Sequence, residues 1–293
     1  VSVLIIRKTT NYELYGTAVE ARANEGSVDS GTLELLKTAH SEHHKTLGRL
    51  KELIRAKGFD FTEISRDDKT SDSLKFDHVI TVGGDGTLLA VSHTLPTASR
   101  VLGIRSSASS VGYLCGASFD TLDSDLDAYF SGKLPVILTQ RLVAVIKKVE
   151  NRKIIRTVPV MNDFLFSNVS PAATTRYIIT HNSTQESQRS SGIWISTAAG
   201  STAAILTAGG IKQPPGDMNF QFKVRELYKM GHVIPKIDGA MFNPDKETLI
   251  IANRCQHAIL AFDGQHGEID LEYGDEISFE RAAPLEVVKR VTS

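Results

Sequence analysis

Apolar and polar positions follow two different rhythms along this chain. In the first half, apolar runs of strand length alternate with segments of helical spacing. Val1–Lys8 reads as a buried strand, and Asp29–Lys57 follows with Leu36, His43, Leu47, Leu50 and Ile54 on one helical face. Gly58 is a helix stop. Phe59–Ser65 alternates as a strand does, and Phe76–Val82 is a third strand bounded by glycines. A short helix is expected over Thr87–Leu95, ended by Pro96, then a strand over Val101–Ile104 and a helix over Phe119–Ser131. Such alternation predicts a largely parallel sheet with helices on its faces.

From about Leu134 the rhythm changes. Val136–Leu138, Leu142–Val149, Lys153–Val160, Asp163–Ser167, Arg176–His181 and Gly192–Ser196 are short β-rich runs separated by turn residues. Thr248–Ala252, Ala258–Phe262, Glu268–Leu271 and Glu276–Phe279 continue the series, and one helix is expected at Thr202–Ala208. The predicted class is therefore α/β plus β. Residues 1–133 form an α/β domain with a largely parallel sheet. Residues 134–293 form a β-rich domain whose last residues can return to the first.

Composition narrows the partners. The chain has 293 residues, with 33 Lys and Arg against 34 Asp and Glu. That balance argues against a nucleic-acid or membrane-surface binder, which shows a basic excess. The two cysteines, Cys115 and Cys255, fit no CxxC or zinc spacing and read as reduced thiols of a cytoplasmic protein. No apolar run approaches the roughly 20 residues of a membrane span, and Val1–Ile6 is too short for a signal peptide.

The chemistry concentrates where the strand Phe76–Val82 runs into Gly83-Gly84-Asp85-Gly86-Thr87. Glycines let backbone N–H groups approach a ligand, and the helix start behind them adds the positive end of its dipole. Together they make a phosphate cradle at the carboxyl end of a parallel strand. Thr87 caps the helix or touches a phosphate oxygen. Asp85 is the unusual member, because a carboxylate repels phosphate. It either takes a proton from an attacking hydroxyl, holds a divalent metal on the donor phosphates, or merely orders the turn. The segment is neither a Walker A loop, which needs a Lys, nor a GxGxxG fingerprint.

Three further elements follow. Ser196–Ala203 links a strand to a helix with small and hydroxyl residues, Thr197 and Thr202 among them. Asn162-Asp163 is an adjacent amide and carboxylate that suits vicinal ribose hydroxyls or a plain β-turn. Asp263-Gly264-Gln265 reads alone as a hairpin turn. Outside these, His40 and His44 stand one helical turn apart, a spacing seen in metal sites and on solvated helix faces alike. Lys223, Arg225 and Lys229 form a local basic cluster whose default is a solvated surface.

Taken in order, Gly83–Thr87, Asn162-Asp163, Gly200–Ala203 and Asp263–Gln265 resemble the NAD kinase family, over roughly residues 76 to 265. The resemblance implies a two-domain fold, an α/β nucleotide domain and a β-rich one. It implies phosphoryl transfer from ATP to the 2′-hydroxyl of the adenosine ribose of NADH or NAD, with Mg²⁺ or another divalent cation on the phosphates. A homodimer fits the resemblance, with a tetramer as the alternative. Carried over residue by residue, Asp85 is the base, and Gly84 and Gly86 line the phosphate loop. Tyr113 packs on adenine, Asn162 and Asp163 hold the other ribose, and Thr202 and Ala203 line a base pocket. Departures lie at Ser191, where bacterial members have Asp; at Ala204, where they have Tyr; and at Arg105, where Asn is common. The stretch Arg189–Gly192 and the run Thr197–Ala204 resemble instead the plant-type branch that favours NADH. The rivals are a lipid or sugar-phosphate kinase with a related loop and a non-catalytic dinucleotide sensor.

Overall fold

The computed structural model describes residues 1–68, 76–96, 99–229, 235–264 and 266–289. The chain divides into two compact units. One comprises Val1–Ile137 and the chain from Leu285 onward; the other is Leu138–Pro284.

The first unit is built on four parallel strands in the order β2-β1-β3-β4. These are β1 (Ser2–Arg7), β2 (Asp60–Ser65), β3 (His78–Gly83) and β4 (Arg100–Arg105). In β1 and β3 the central residues are buried on both faces, so the strands are continuous apolar runs without alternation. A short β5 (Ala117–Ser118) pairs with β4. Two helices cover the sheet. In α2 (Ser30–Ala56), capped by the Asp29 side chain, Leu47, Leu50 and Ile54 enter the core; in α4 (Leu122–Phe130), Leu122, Leu126 and Tyr129 do. The helix α1 (Asn11–Asn24) lies outside the predicted set. Gly16 is its one buried residue, so it carries no apolar stripe, and its start is fixed by a capping box of Thr10 and Glu13. The helix after β3 is α3 (Asp85–Ser92), which begins two residues earlier than expected because Gly84 takes the extended cap conformation. Asp85 is thus the first helical residue.

The second unit holds two antiparallel systems around one core that includes Phe164, Phe166, Tyr177, Phe220, Phe222 and Ile277. One system has the order β13-β12-β11-β8-β15-β16. Its members are β8 (Asp163–Asn168), β11 (Gly192–Ser196), β12 (Phe220–Arg225), β13 (Gly239–Phe242), β15 (Ala258–Phe262) and β16 (Gly267–Leu271). The other runs β10-β9-β14-β17, from β9 (Thr175–His181), β10 (Thr184–Ser190), β14 (Leu249–Asn253) and β17 (Glu276–Val288). The two runs expected at 136–138 and 142–149 are one strand, β6 (Val136–Lys147), and the run at 153–160 keeps only β7 (Ile154–Arg156). The expected helix at 202–208 is also shorter. A 3-10 turn at Gly200–Thr202 is followed by one α turn, α5 (Ala204–Thr207). Ala203, at ψ −146°, breaks the two apart.

Strand β17 belongs to both units. Its first residues pair with β14, and Glu286, Val287 and Val288 pair parallel to Arg100, Val101 and Leu102 of β4.

Candidate active site

In the first unit the geometry centres on Asp85. Its Oδ2 accepts the Tyr113 N–H at 2.9 Å and its Oδ1 accepts the Leu114 N–H at 2.7 Å. A turn at Gly112 presents those two donors. Gly112 has φ +69°, and a Cβ there would lie 2.6 Å from Arg105 Cδ, so the position is closed to larger residues. The Asp85 carboxylate is therefore aimed by backbone rather than left to rotate. Gly84 and Gly86 sit beside it half-exposed, and Thr87 is buried, its N–H donating to Gly84 O at 3.0 Å. The five residues expected here from sequence, Gly84, Asp85, Gly86, Thr87 and Tyr113, thus share one strand–loop–helix junction and the turn that faces it.

The flanking loop is tied to α2. Ser106 N–H donates to Gly83 O at 2.9 Å, and Ser106 Oγ pairs with His43 Nδ1 at 2.8 Å. Glu42 accepts from Ser107 Oγ and from Ala108 N–H. Burial pushes His43 down to about 3, with the charge of Lys8 adding to it, so the ring is neutral. A cavity of about 190 Å³ opens beside this loop, lined by Lys45, Arg105, Ser107 and Phe119 among others.

Lys289 is a residue that sequence reasoning missed. Its Nζ lies 3.7 Å from the centroid of the Tyr113 ring. Burial lowers its pKa, while the charges of Asp85 and Cys115 oppose that shift. It sits 202 residues past Thr87, the end of the glycine loop, and no local pattern marks it.

In the second unit, Asp263 organises the other predicted residues. Its carboxylate accepts N–H groups from Met161 at 3.3 Å, Asn162 at 2.8 Å and Asp163 at 3.2 Å. Asp263 is buried and holds a positive φ of 47°. Its own N–H donates to Asp163 O at 2.9 Å. Thr197 completes the knot: its N–H donates to Asn162 O at 3.0 Å, and its Oγ1 bonds Met161 O while receiving N–H groups of Ala199 and Gly200. Gly200 is required by close approach, since a Cβ there would stand 2.2 Å from Asn162 O. Thr202 and Ala203 follow on the 3-10 turn, half-buried. Asn162, Asp163, Thr197 and Asp263 are thereby linked through one hydrogen-bond network; Ala203 joins it through its N–H to Gly200 O at 2.9 Å, and Thr202 adjoins it in sequence only. Gln265 lies outside the described residues.

Asp163 is unusual electrically. Burial, and then the neighbouring Asp263 charge, push its pKa up to about 7. At neutral pH it is divided between an acceptor-only carboxylate and a carboxylic acid that can donate.

The basic cluster is a surface feature. Lys223 pairs with Asp238 at 3.1 Å, and the Arg225 guanidinium lies 5.8 Å from the Trp194 ring.

Residues 8–134 match the ATP-NAD kinase N-terminal domain. A probable NADH kinase of Oryza sativa subsp. japonica is 28% identical over 265 residues, covering 83% of this chain and 80% of its own. The NADH kinase of Arabidopsis thaliana is also 28% identical, over 274 residues covering 86% and 85%. Residues 8–134 thus carry the NAD kinase N-terminal domain, and the chain is similar to NADH kinases along most of its length. Among solved structures, an NAD kinase from Archaeoglobus fulgidus in complex with ATP superposes with a TM-score of 0.71 at 18% identity, over 99% of this chain and 94% of that one.

Proposed function

We propose that this protein is an NAD kinase, transferring the γ-phosphoryl group of ATP to the 2′-hydroxyl of the adenosine ribose of NADH or NAD. The observation that carries the reading is Asp85, a carboxylate fixed by two backbone N–H groups at the mouth of a glycine loop and helix start. The 2′-oxygen attacks the γ-phosphorus, its proton passes to the Asp85 carboxylate, the bond to the β-γ bridging oxygen breaks, and ADP leaves. The protein contributes mainly position and charge. Gly84, Gly86 and Thr87 cradle phosphate, and Tyr113 stacks on adenine. Asn162 and Asp163 hold the second ribose, Thr202 and Ala203 line a base pocket, and Thr197, buried with its polar atoms spent on Met161, Asn162, Ala199 and Gly200, acts by holding that turn. Asp263 acts through Asn162 and Asp163 by fixing their backbone.

A divalent cation such as Mg²⁺ accompanies the donor phosphates in this reading. Asp85 suits it, because each carboxylate oxygen keeps a lone pair beyond the one given to an N–H. Bound there, the cation neutralises charge on the transferring phosphates.

The acceptor favoured is NADH. Ser191 and Ala204 replace the Asp and Tyr of bacterial members, and two relatives along most of the chain are NADH kinases. We also read the protein as a cytoplasmic homodimer. Its two cysteines are free, and Leu138, Ile154 and Val158 leave apolar side chains 40–62% exposed. Light scattering behind a sizing column tests the dimer; a monomer at every concentration overturns it.

The deciding experiment follows NADPH and NADP⁺ formation from equal NADH and NAD⁺ with ATP. Faster NADPH formation supports the reading. Tight dinucleotide binding without phosphoryl transfer replaces it with a sensor.

A further inference from the structure

Helix α1 packs on α2 without an apolar face, so polar contacts hold it. Thr10 Oγ1 meets His40 Nδ1 at 2.8 Å, Glu20 pairs with Lys37 at 2.9 Å, and the Tyr12 ring sits 5.1 Å from that of His40. At the start of this contact Glu13, His40 and His44 converge. One ligand atom from each lies within 4.8 Å of the other two. His40 and His44 stand one turn apart on α2, so both rings leave the same face, with centroids 4.4 Å apart. Glu13 Oε1 lies 3.3 Å from His44 Nε2. A tetrahedral zinc ion with bonds of about 2.0–2.1 Å separates its donors by about 3.3 Å.

The surroundings hold two of the three ligands in place. Glu13 Oε2 accepts the Thr10 N–H at 2.6 Å, leaving Oε1 turned towards His44. With His40 Nδ1–H donating to Thr10 Oγ1, the ring keeps its Nε2 lone pair outward, the tautomer that metal-bound imidazoles take. Arg7 lies 3.7 Å from Glu13 Oε1 and opposes a cation there, but it is shared with Glu63 at 3.1 Å.

We propose that Glu13, His40 and His44 bind a transition-metal ion of the zinc class, stapling α1 to α2. Two imidazoles and one carboxylate select zinc over magnesium or calcium, and water takes the fourth position. None of the three residues belongs to the Asp85 junction, so the site is independent of phosphoryl transfer.

The test is calorimetric titration of the whole chain with zinc chloride, in excess magnesium and without nucleotide. Wild type, His44→Gln and the His40→Gln/His44→Gln double variant are compared. One zinc per chain is expected in wild type, weakened roughly tenfold or more by His44→Gln and lost in the double variant. In wild type, zinc is expected to slow amide hydrogen exchange across 11–24. Unchanged zinc binding in the double variant, no zinc binding in magnesium, or no slowing in α1 overturns the site.

Discussion

Asp85 spends one lone pair of each oxygen on backbone N–H groups and so reaches its position without help from another side chain. Asp85→Asn puts an amide NH₂ against one of those donors and removes the proton acceptor. We expect kcat to fall by roughly 10²–10⁴, measured as NADPH formation, with the far-UV spectrum unchanged. A wild-type kcat removes Asp85 from the chemistry. Asp163 offers a different handle. Its pKa rises from 3.8 to about 7 in the folded protein. Folding therefore takes up a proton between those values, and its contribution to stability declines as pH rises through that window. Asp163→Asn removes the titration. The melting temperature of the variant relative to wild type should move upward between pH 5 and pH 8; a constant difference contradicts the shift.

Among the elements, the turn at Gly200–Thr202 depends on backbone contact. Gly200→Ala pushes a methyl into the Asn162 carbonyl, which the Thr197 and Asp263 hydrogen bonds prevent from yielding. A loss of about 1–3 kcal/mol is expected, with a raised KM for the dinucleotide, read by thermal unfolding and by initial rates. Elements with an apolar signature were legible in the sequence: β1, β3, β4, the buried face of α2, and β15 all follow from periodicity. Those built on polar residues were not. Helix α1 buries only Gly16. The edge strand β10, Thr184–Ser190, is polar throughout, and only its pairing with β9 makes it a strand. Residues 223 and 225 read as a basic patch, although they alternate along β12 with Phe222 and Val224 facing the core. The site was legible as four short motifs. Their wiring was not, because Asp263 reaches residues 100 positions away and Lys289 has no motif at all.

At the scale of the whole molecule, each unit has its own core, and the residues after Pro284 serve the first. Leu285, Val287 and Val288 are almost fully buried. Ending the chain at Pro284 strips β4 of a parallel neighbour and removes Lys289. The first unit should then melt at a lower temperature by helical circular dichroism. Trp194, the sole tryptophan, lies in the second unit and should report an unchanged transition. Coincident shifts in both signals contradict this division.

The strand that passes from one unit to the other also dictates an order of events during synthesis. Residues 285–288 leave the ribosome only after all of the second unit. Until then the nascent first unit shows an open β4 edge to its surroundings, the kind of edge that recruits foreign strands. The second unit can close as soon as its own strands are made. The first unit, translated first, is therefore the one that matures last.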